Sequence, residues 1–400
     1  MPISSDRRTV IVLALGTAQT LAWGSTYYLP AILAAPMADS FGVSTEIIYG
    51  IFSAAMLMTA FLGPAVGHRI DRFGGRDVLS ISSFVFATGL VLLGAATTLT
   101  VFTIGWLIIG LGMAMGLYEA AFSSLTAIYG REARNAITGI TLLAGFASTV
   151  CWPISALVDA EWGWRVTCYV WAGAHLLLAL PIYRFLIPAV ASKAAEPPKT
   201  GDAQIDGTAD TVIFSRPMIL LAFAFAATWI TSTAMAAHLP RILEAAGASK
   251  TVAIAAASLV GPAQVAARIL EYSLLRRFHP LLSARLATIT HPVGVLALIL
   301  FGPAAAYLFT LLHGAGNGVM TIAKGTLPLV IFGPAGYGRR QGYLVAPARF
   351  GQAAAPLVFA ILLERFGVHV LLFSSGLCLL SCVAMLMLRS TESSETTAKA

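Results

Sequence analysis

The sequence predicts an all-α membrane protein whose 12 transmembrane helices form two six-helix bundles, with both termini in the cytoplasm. Three observations lead to this fold class: the composition, the length of the apolar runs, and the distribution of basic residues between them. Of the 400 residues, 58% are hydrophobic and only 11% are charged, against about 25% charged in soluble domains. The mean hydropathy is +0.82. Because a soluble protein must cover its surface with polar side chains, most of this chain is expected to lie in lipid.

Apolar runs of membrane-spanning length recur along the whole chain. A spanning helix needs about 20 predominantly apolar residues. The runs give these predicted spans: 9–34, 46–67, 78–97, 100–129, 136–158, 165–188, 217–240, 251–275, 284–301, 303–326, 339–363 and 368–388. The first run is longer than the apolar region of a signal peptide and no small-residue cleavage site is evident, so it is expected to be retained.

Basic residues are distributed unevenly between the predicted loops. With both termini inside, 18 of the 25 lysines and arginines fall in cytoplasmic segments, and those in outer loops are Arg165, Arg241, Lys250 and Arg365. Cytoplasmic loops of membrane proteins carry an excess of Lys and Arg, so the termini are predicted to be cytoplasmic. The dispersal of the net charge of +7 argues against a nucleic-acid partner. We expect a multi-pass protein of the cell inner (plasma) membrane.

One connection differs from the others. Residues 189–216 are rich in Ala, Pro, Gly, Asp and Thr and predict a flexible cytoplasmic linker. This linker separates an N-terminal six-helix bundle, residues 1–188, from a C-terminal six-helix bundle with a short cytoplasmic tail, residues 217–400. Two parallel repeats that meet at a central cavity would produce this pattern.

The loop between spans 2 and 3 carries the motif that suggests a family. It reads GHRIDRFGGR, residues 67–76. The positions that match the G-x-x-x-D-R-x-G-R-R loop of the major facilitator superfamily are Gly67, Asp71, Arg72, Gly74 and Arg76. The predicted topology resembles that superfamily over the whole chain. The resemblance implies a gating loop, whose acid and arginines bridge helix ends in one conformation and release them in another. A solvated, positive-inside loop is the alternative.

Three departures from the superfamily's patterns narrow the function. The stretch after span 8, ARILEYSLLRRFHPLLSAR, keeps basic residues but loses the Gly and Asp-Arg core of the loop. Span 4 has Trp106 four residues before Gly110, where many proton-coupled members carry an arginine. Span 5 lacks the G-x-x-x-G-P pattern of drug/proton antiporters. The last two departures count against a drug exporter, and Trp106 counts against the usual proton-coupling route.

Ionisable side chains inside spans are functional candidates, because each costs about 2.5–3.5 kcal/mol to insert. Those within the predicted spans are Glu119 in span 4, Arg268 and Glu271 in span 8, Lys324 in span 10 and Arg349 in span 11. The resemblance implies that spans 1, 4, 7 and 10 line the cavity, with contributions from spans 2, 5, 8 and 11. All of these charges therefore fall on lining helices.

Arg349 and Arg268 are the predicted anion-binding residues. Arg349 lies about ten residues into span 11, about 15 Å deep at about 1.5 Å per residue, which is too deep for easy snorkelling. A guanidinium binds a carboxylate through two parallel hydrogen bonds. The arrangement resembles the monocarboxylate and oxalate/formate transporter branches, in which a span-8 arginine and a span-11 basic residue face the substrate. Internal pairing, of Arg349 with Glu119 and of Arg268 with Glu271, is the alternative.

The remaining candidates are less specific. Glu119 is predicted to carry a coupled proton or to serve as a static counter-ion, and Lys324 is expected near the cytoplasmic end of span 10 in a structural or gating role. Further side chains predicted to contact the substrate are Gln19, Trp23 and Tyr27 on one face of span 1, Gln264 and Gln352 one turn from the two arginines, and Asn317 in span 10. His175 and His291 are expected in the core of supporting helices, whereas a functional role for His313 stays open.

These observations predict a secondary active transporter of a small organic anion, most simply a carboxylate, as a symporter or antiporter working by alternating access. An exporter of a neutral or cationic small molecule with Glu119 as the key site is the alternative, and a non-transporting membrane sensor is a more distant one. The sequence offers no nucleophile–base pair, metal-ligand cluster or nucleotide loop, so we expect no enzymatic activity, cofactor or bound metal. The expected partners are the substrate, the lipid bilayer and a co-transported proton, and the chain is expected to be a monomer.

Overall fold

The computed structural model describes residues 5–189, 214–274 and 277–388. Within these ranges every regular element is a helix and no strand occurs, so the predicted all-α fold class is confirmed. The predicted linker lies, apart from residues 189 and 214–216, outside the described residues. The cytoplasmic location of the termini stays a prediction.

The helices of the N-terminal half follow the predicted spans, with breaks inside three of them: span 1, span 4 and, at residues 145–146, span 5. They are α1 (Ser5–Ser25), α2 (Pro30–Phe41), α3 (Thr45–Phe73), α4 (Arg76–Ala95), α5 (Leu99–Gly116), α6 (Tyr118–Tyr129), α7 (Ala133–Ala144) and α8 (Ala147–Ala174). Span 1 is broken between α1 and α2. Span 4 is broken between α5 and α6 at Leu117, whose backbone is extended (φ −88°, ψ −169°). Within α8, Gly163 has φ +80°, a left-handed conformation that favours glycine, and it separates spans 5 and 6.

The helices of the C-terminal half also follow the predicted spans. They are α9 (Arg216–Ala245), α10 (Lys250–Ser258), α11 (Val260–Ser273), α12 (Pro280–Phe301), α13 (Ala306–Phe332), α14 (Tyr337–Phe366) and α15 (Val370–Leu386). Span 8 is broken at Leu259 into α10 and α11, while spans 7, 9, 10, 11 and 12 are the single helices α9 and α12–α15. Discontinuous helices are common at the binding sites of secondary transporters, because a break exposes backbone groups.

Length and hydropathy identify seven membrane-spanning stretches among the described residues. Three of these stretches contain 88, 53 and 50 residues, and each is long enough for more than one crossing at about 20 residues per crossing. Large apolar side chains, Phe61, Leu177 and Leu300 among them, are exposed along these helices. Such surfaces are suited to contact with lipid.

The chain forms two compact units. The first unit comprises Met1–Ala203 and Pro334–Ala346, and the second comprises Gln204–Gly333 and Pro347–Ala400. Helix α14 therefore contributes residues 337–346 to the first unit and residues 347–366 to the second. The predicted bundle boundaries, 1–188 and 217–400, stay a prediction.

The core of the second unit fixes the helices that carry its polar side chains. Apolar residues from six helices pack together there, including Met235, Leu298, Phe309, Phe359 and Leu371. These residues lie on α9, α12, α13, α14 and α15 respectively. The polar faces of α9, α13 and α14 are thereby held in fixed positions.

Candidate functional site

Two buried cations lie over one indole ring in the second unit. The guanidinium carbon of Arg349 is 4.8 Å from the ring centroid of Trp229, and Nζ of Lys324 is 3.7 Å from the same centroid. Arg349 is 1% exposed and Lys324 is 3% exposed. The negative face of an aromatic ring attracts a cation. The two charges cannot be further apart than the sum of these distances, and we call Trp229, Lys324 and Arg349 the two-cation site.

Gln352 orients Arg349 within this site. Its Oε1 accepts a hydrogen bond from Arg349 Nη1 at 3.2 Å, and its Nε2 donates to Thr233 Oγ1 at 3.1 Å. Arg349 and Gln352 share one face of α14 because they are three residues apart, and Thr233 follows Trp229 by one turn on α9. Gln352, which the sequence places one turn from Arg349, thus contacts it directly, while substrate binding by both residues stays a prediction.

The sequence places Lys324 near a helix end, where a lysine can reach the protein surface. In the structure Lys324 is buried instead. It lies inside α13, eight residues before the helix ends at Phe332, and its amino group points to Trp229. The difference arises because the rotation of α13 about its axis, which the sequence does not specify, turns this residue into the unit. Lys324 therefore joins Arg349 at the candidate site.

Arg268 belongs to a second polar set, between α11 and α13. Its Nε donates to the carbonyl oxygen of Gly318, and its Nη2 donates to Gln264 Oε1 and Thr321 Oγ1, each at 3.4 Å. Thr321 precedes Lys324 by one helical turn, so α13 connects this set with the two-cation site. Binding of substrate by Arg268 and Gln264 stays a prediction.

Glu271 and Asn317 lie in the same region of the second unit. Glu271 is buried and accepts a hydrogen bond from Ser283 of α12 at 3.4 Å. Asn317 lines a small pocket beside α9 and α12, and its backbone carbonyl accepts a hydrogen bond from Thr321 Oγ1 at 2.9 Å. The pairing of Arg268 with Glu271 and the contact of Asn317 with substrate both stay predictions.

The predicted polar face of span 1 is packed within the first unit. Gln19 is fully buried, and its Nε2 donates to the carbonyl oxygen of Gly116 at 2.6 Å. That carbonyl adjoins the break at Leu117, so Gln19 stabilises the end of α5. The ring of Trp23 lies 5.2 Å from that of Tyr27 and 4.8 Å from that of Tyr118. These contacts give the three predicted residues a structural role, and their substrate contact stays a prediction.

Glu119 lies in the first turn of α6, directly after the break in span 4. The positive end of a helix dipole stabilises a carboxylate in this position. The side chain is partly exposed and close enough to Tyr337 to act on its hydroxyl electrostatically. A proton-coupling role for Glu119 remains a prediction.

The motif loop joins α3 to the first turn of α14 within the first unit. The carboxylate of Asp71 accepts hydrogen bonds from the backbone N–H groups of Gly338 and Arg339, both at 2.8 Å. These amides are among the first four of α14, which have no partner inside the helix. Asp71 therefore caps α14, and its negative charge faces the positive end of the helix dipole.

The close approach of the two helices depends on glycine. A Cβ on Gly338 would lie 2.5 Å from the carbonyl oxygen of Gly67, and a Cβ on Gly342 would collide with Pro64.

Among the other motif residues, Gly74 has φ +80° and permits the sharp turn into α4. The guanidinium of Arg72 lies 5.9 Å from the ring centroid of Phe73. Arg76 pairs with Asp77 at 3.2 Å, and Arg184 reaches the same carboxylate at 3.5 Å.

Trp229 and Thr233 are the site residues that sequence reasoning missed. Trp229 is the only tryptophan after residue 171 of the sequence. It lies in the middle of span 7, whereas tryptophans of membrane proteins concentrate at the interfaces near helix ends. This unusual position in mid-span is the sequence feature that could have identified Trp229 as a site residue. For Thr233 the sequence offers only its place one helical turn after Trp229.

Comparisons with known proteins agree with this architecture. The family model described as Major Facilitator Superfamily matches residues 15–327. Among solved structures, the E. coli fucose:proton symporter FucP is 16% identical with a TM-score of 0.73, covering 94% of this chain and 97% of its own.

Two further structures have the same fold. The proton:xylose symporter XylE is 16% identical with a TM-score of 0.68, covering 95% of this chain and 93% of its own. The human organic anion transporter MFSD10 is 16% identical with a TM-score of 0.63, covering 96% of this chain and 100% of its own. At these identities the structures show the fold alone, and that fold implies 12 membrane spans. The family match covers well over half of the sequence, and the chain belongs to the major facilitator superfamily.

Proposed function

We propose that this chain is a secondary active transporter of a small organic anion, most simply a carboxylate, working by alternating access in the cell inner (plasma) membrane. The observation that carries the proposal is the two-cation site. It places the buried charges of Arg349 and Lys324 over the ring of Trp229. Membrane transporters use such intramembrane charges on their substrate pathways.

The chemistry of the site suits a carboxylate with a small carbon skeleton. The planar guanidinium of Arg349 can donate two parallel hydrogen bonds to a carboxylate, and the ammonium of Lys324 adds a second positive charge. Trp229 offers an apolar surface to the carbon skeleton, as binding pockets for organic ligands commonly do. Gln352 limits the rotation of the guanidinium and so prepares it for the ligand.

A bound anion also supplies a reason for coupled movement. Two like charges are costly in a low-dielectric interior, and a carboxylate between them lowers that cost. Closure around a loaded site is therefore more favourable than closure around an empty one. A third cation, Arg268, is proposed to assist, and its contact with α13 at Thr321 supports this role.

Proton coupling is part of the proposal, with Glu119 as its carrier. Two proteins of the same fold are named as proton symporters, FucP and XylE, and a third as an organic anion transporter, MFSD10. Those names support a proton-coupled carrier of an organic anion. Release of the Asp71 cap from α14 is the proposed gating step.

Uptake of radiolabelled organic acids into liposomes tests the proposal. We expect Arg349→Ala to abolish uptake and Arg349→Lys to retain part of it, since lysine keeps the charge and loses the fork. Arg365→Ala is the matched control, because Arg365 is exposed near the end of the same helix. Undiminished acid uptake by Arg349→Ala would contradict the proposal. Transport of only neutral or cationic compounds would favour the alternative based on Glu119.

A further inference from the structure

A buried histidine pair links three helices of the second unit. Nδ1 of His291 on α12 lies 3.0 Å from Nδ1 of His313 on α13, and Nε2 of His291 lies 2.9 Å from Ser374 Oγ on α15. His291 is 4% exposed, His313 is 5% exposed and Ser374 is fully buried. The hydroxyl of Ser374 in turn donates to the carbonyl oxygen of Leu371 at 3.0 Å.

We assign one direction to these hydrogen bonds. The single hydroxyl proton of Ser374 is assigned to the carbonyl oxygen of Leu371, at 3.0 Å on its own helix, so that His291 Nε2 donates to Ser374 Oγ. A neutral imidazole has one N–H and one acceptor nitrogen, so His291 Nδ1 must accept from His313. His313 therefore carries its proton on Nδ1, and its Nε2 is left as a bare acceptor.

The pocket beside His313 presents several hydroxyl oxygens. It has a volume of about 20 Å³, enough for about one water molecule. Ser232 lines it with a hydroxyl that can donate or accept. Thr228, Thr231 and Thr290 also line it, and each donates its hydroxyl proton to a carbonyl of its own helix. Their oxygens therefore present lone pairs. Asn317 adds an amide that can donate or accept.

We propose that His313 is a proton-binding site of the second unit. Nε2 of His313 accepts a proton from a hydronium ion that enters the pocket from solvent. One O–H bond of the hydronium breaks, one N–H bond forms, a water molecule is left, and the resulting imidazolium donates to a pocket oxygen. His291 stays neutral, and none of the existing hydrogen bonds changes. This site is separate from the proposed anion site and does not depend on it.

Charged and titratable groups on the packed helices have contacts of their own. Cys378 of α15 lines the same pocket and donates to Thr231. On the other packed helices, such groups include Arg268 of α11, bonded at Gly318 and Thr321, Glu271 of α11, bonded by Ser283, Arg285 of α12, bonded to the carbonyls of Met385 and Leu388, His238 of α9, bonded to the carbonyl of Pro356, and Lys324 of α13 over Trp229.

Selective ¹⁵N labelling of the seven histidines tests the proposal in the full chain in lipid nanodiscs. Imidazole ¹⁵N shifts distinguish an N–H nitrogen, an acceptor nitrogen and an imidazolium. At pH 8 we expect His313 to be protonated on Nδ1 and His291 on Nε2. As the pH is lowered, the His313 signal should become that of an imidazolium before His291 changes. Protonation of His291 first, or a neutral His313 down to the lowest pH at which the protein stays folded, would overturn the proposal.

Signals are assigned with His313→Gln, and exposed His369→Gln is the control that should leave both buried rings unchanged. Ser374→Ala gives a second test that leaves both histidines in place. Without the serine acceptor, we expect the pair to reverse and His313 to carry its proton on Nε2, where pocket oxygens accept it. An unchanged His313 tautomer in Ser374→Ala would show that the assigned hydrogen-bond directions are wrong.

Discussion

Replacement of Gly338 by alanine would separate α14 from the carboxylate that caps it. The new Cβ would lie 2.5 Å from the carbonyl oxygen of Gly67, whereas ordinary van der Waals contact begins at 3.4 Å. Removing this overlap requires α14 to move away from α3 by about 0.9 Å. The two 2.8 Å hydrogen bonds to Asp71 would then lengthen to about 3.7 Å, beyond hydrogen-bond range.

The energetic cost of this movement outweighs the gain in helix propensity. A hydrogen bond to a charged group contributes about 1.5–3 kcal/mol, and alanine gains about 1 kcal/mol over glycine in a helix. At the lower value for each of the two bonds, a loss of about 3 kcal/mol less this gain leaves about 2 kcal/mol, which makes the first turn of α14 open roughly 30-fold more often. Hydrogen exchange of a peptide covering residues 337–343 measures that opening, and we expect it to rise by this factor in Gly338→Ala.

Gly50→Ala is the matched control on α3. A Cβ on Gly50 would meet nothing within 4 Å, so this variant should exchange like the wild-type protein in the same peptide. Equal exchange in Gly338→Ala, Gly50→Ala and wild type would refute the reasoning. The amides of α14 would then not depend on Asp71 for their protection.

Three further predictions follow from the same contacts. Asp71→Asn keeps one acceptor and turns an amino group towards the second amide, so we expect intermediate exchange in that peptide, and wild-type exchange would contradict the cap. Lys324→Met removes one positive charge at nearly equal side-chain volume. We expect the anion affinity measured by calorimetry to fall, about tenfold for each 1.4 kcal/mol of binding free energy lost, and an unchanged affinity would exclude Lys324 from the site. Gln19→Leu leaves the buried carbonyl of Gly116 without its donor and should lower the free energy of unfolding by about 1–3 kcal/mol. We expect a lower melting temperature than that of the exposed control Thr17→Val, and equal melting temperatures would contradict this role.

The sequence predicted the helical fold because that fold depends on composition and run length. Apolar runs of membrane-spanning length mark spans irrespective of how they pack, and the motif at residues 67–76 identified the family before any contact was known. The breaks at Leu117 and Leu259 could not be predicted in the same way. Averaged hydropathy does not respond to a break at a single residue, and neither break contains proline or glycine at its centre.

The candidate site was predictable only where its contacts are local. Arg349 and Gln352 share a helix face by their spacing of three residues, so the sequence places them together. The meeting of Lys324 with Trp229 depends on how α9 and α13 rotate about their axes, which is set by packing of the whole unit. Gln19 shows the same limit, because its bond to Gly116 depends on a break that the sequence does not reveal.

The central claim is that an organic anion binds at the two-cation site, and tryptophan fluorescence tests it most directly. Purified protein is titrated with monocarboxylates, dicarboxylates and a neutral sugar as the control ligand. We predict a saturable fluorescence change with an acid, absent for the sugar, that Trp229→Phe removes and Arg349→Ala shifts to at least tenfold higher concentration. An acid-induced change that persists in Trp229→Phe, with an affinity unaltered in Arg349→Ala, would contradict the claim.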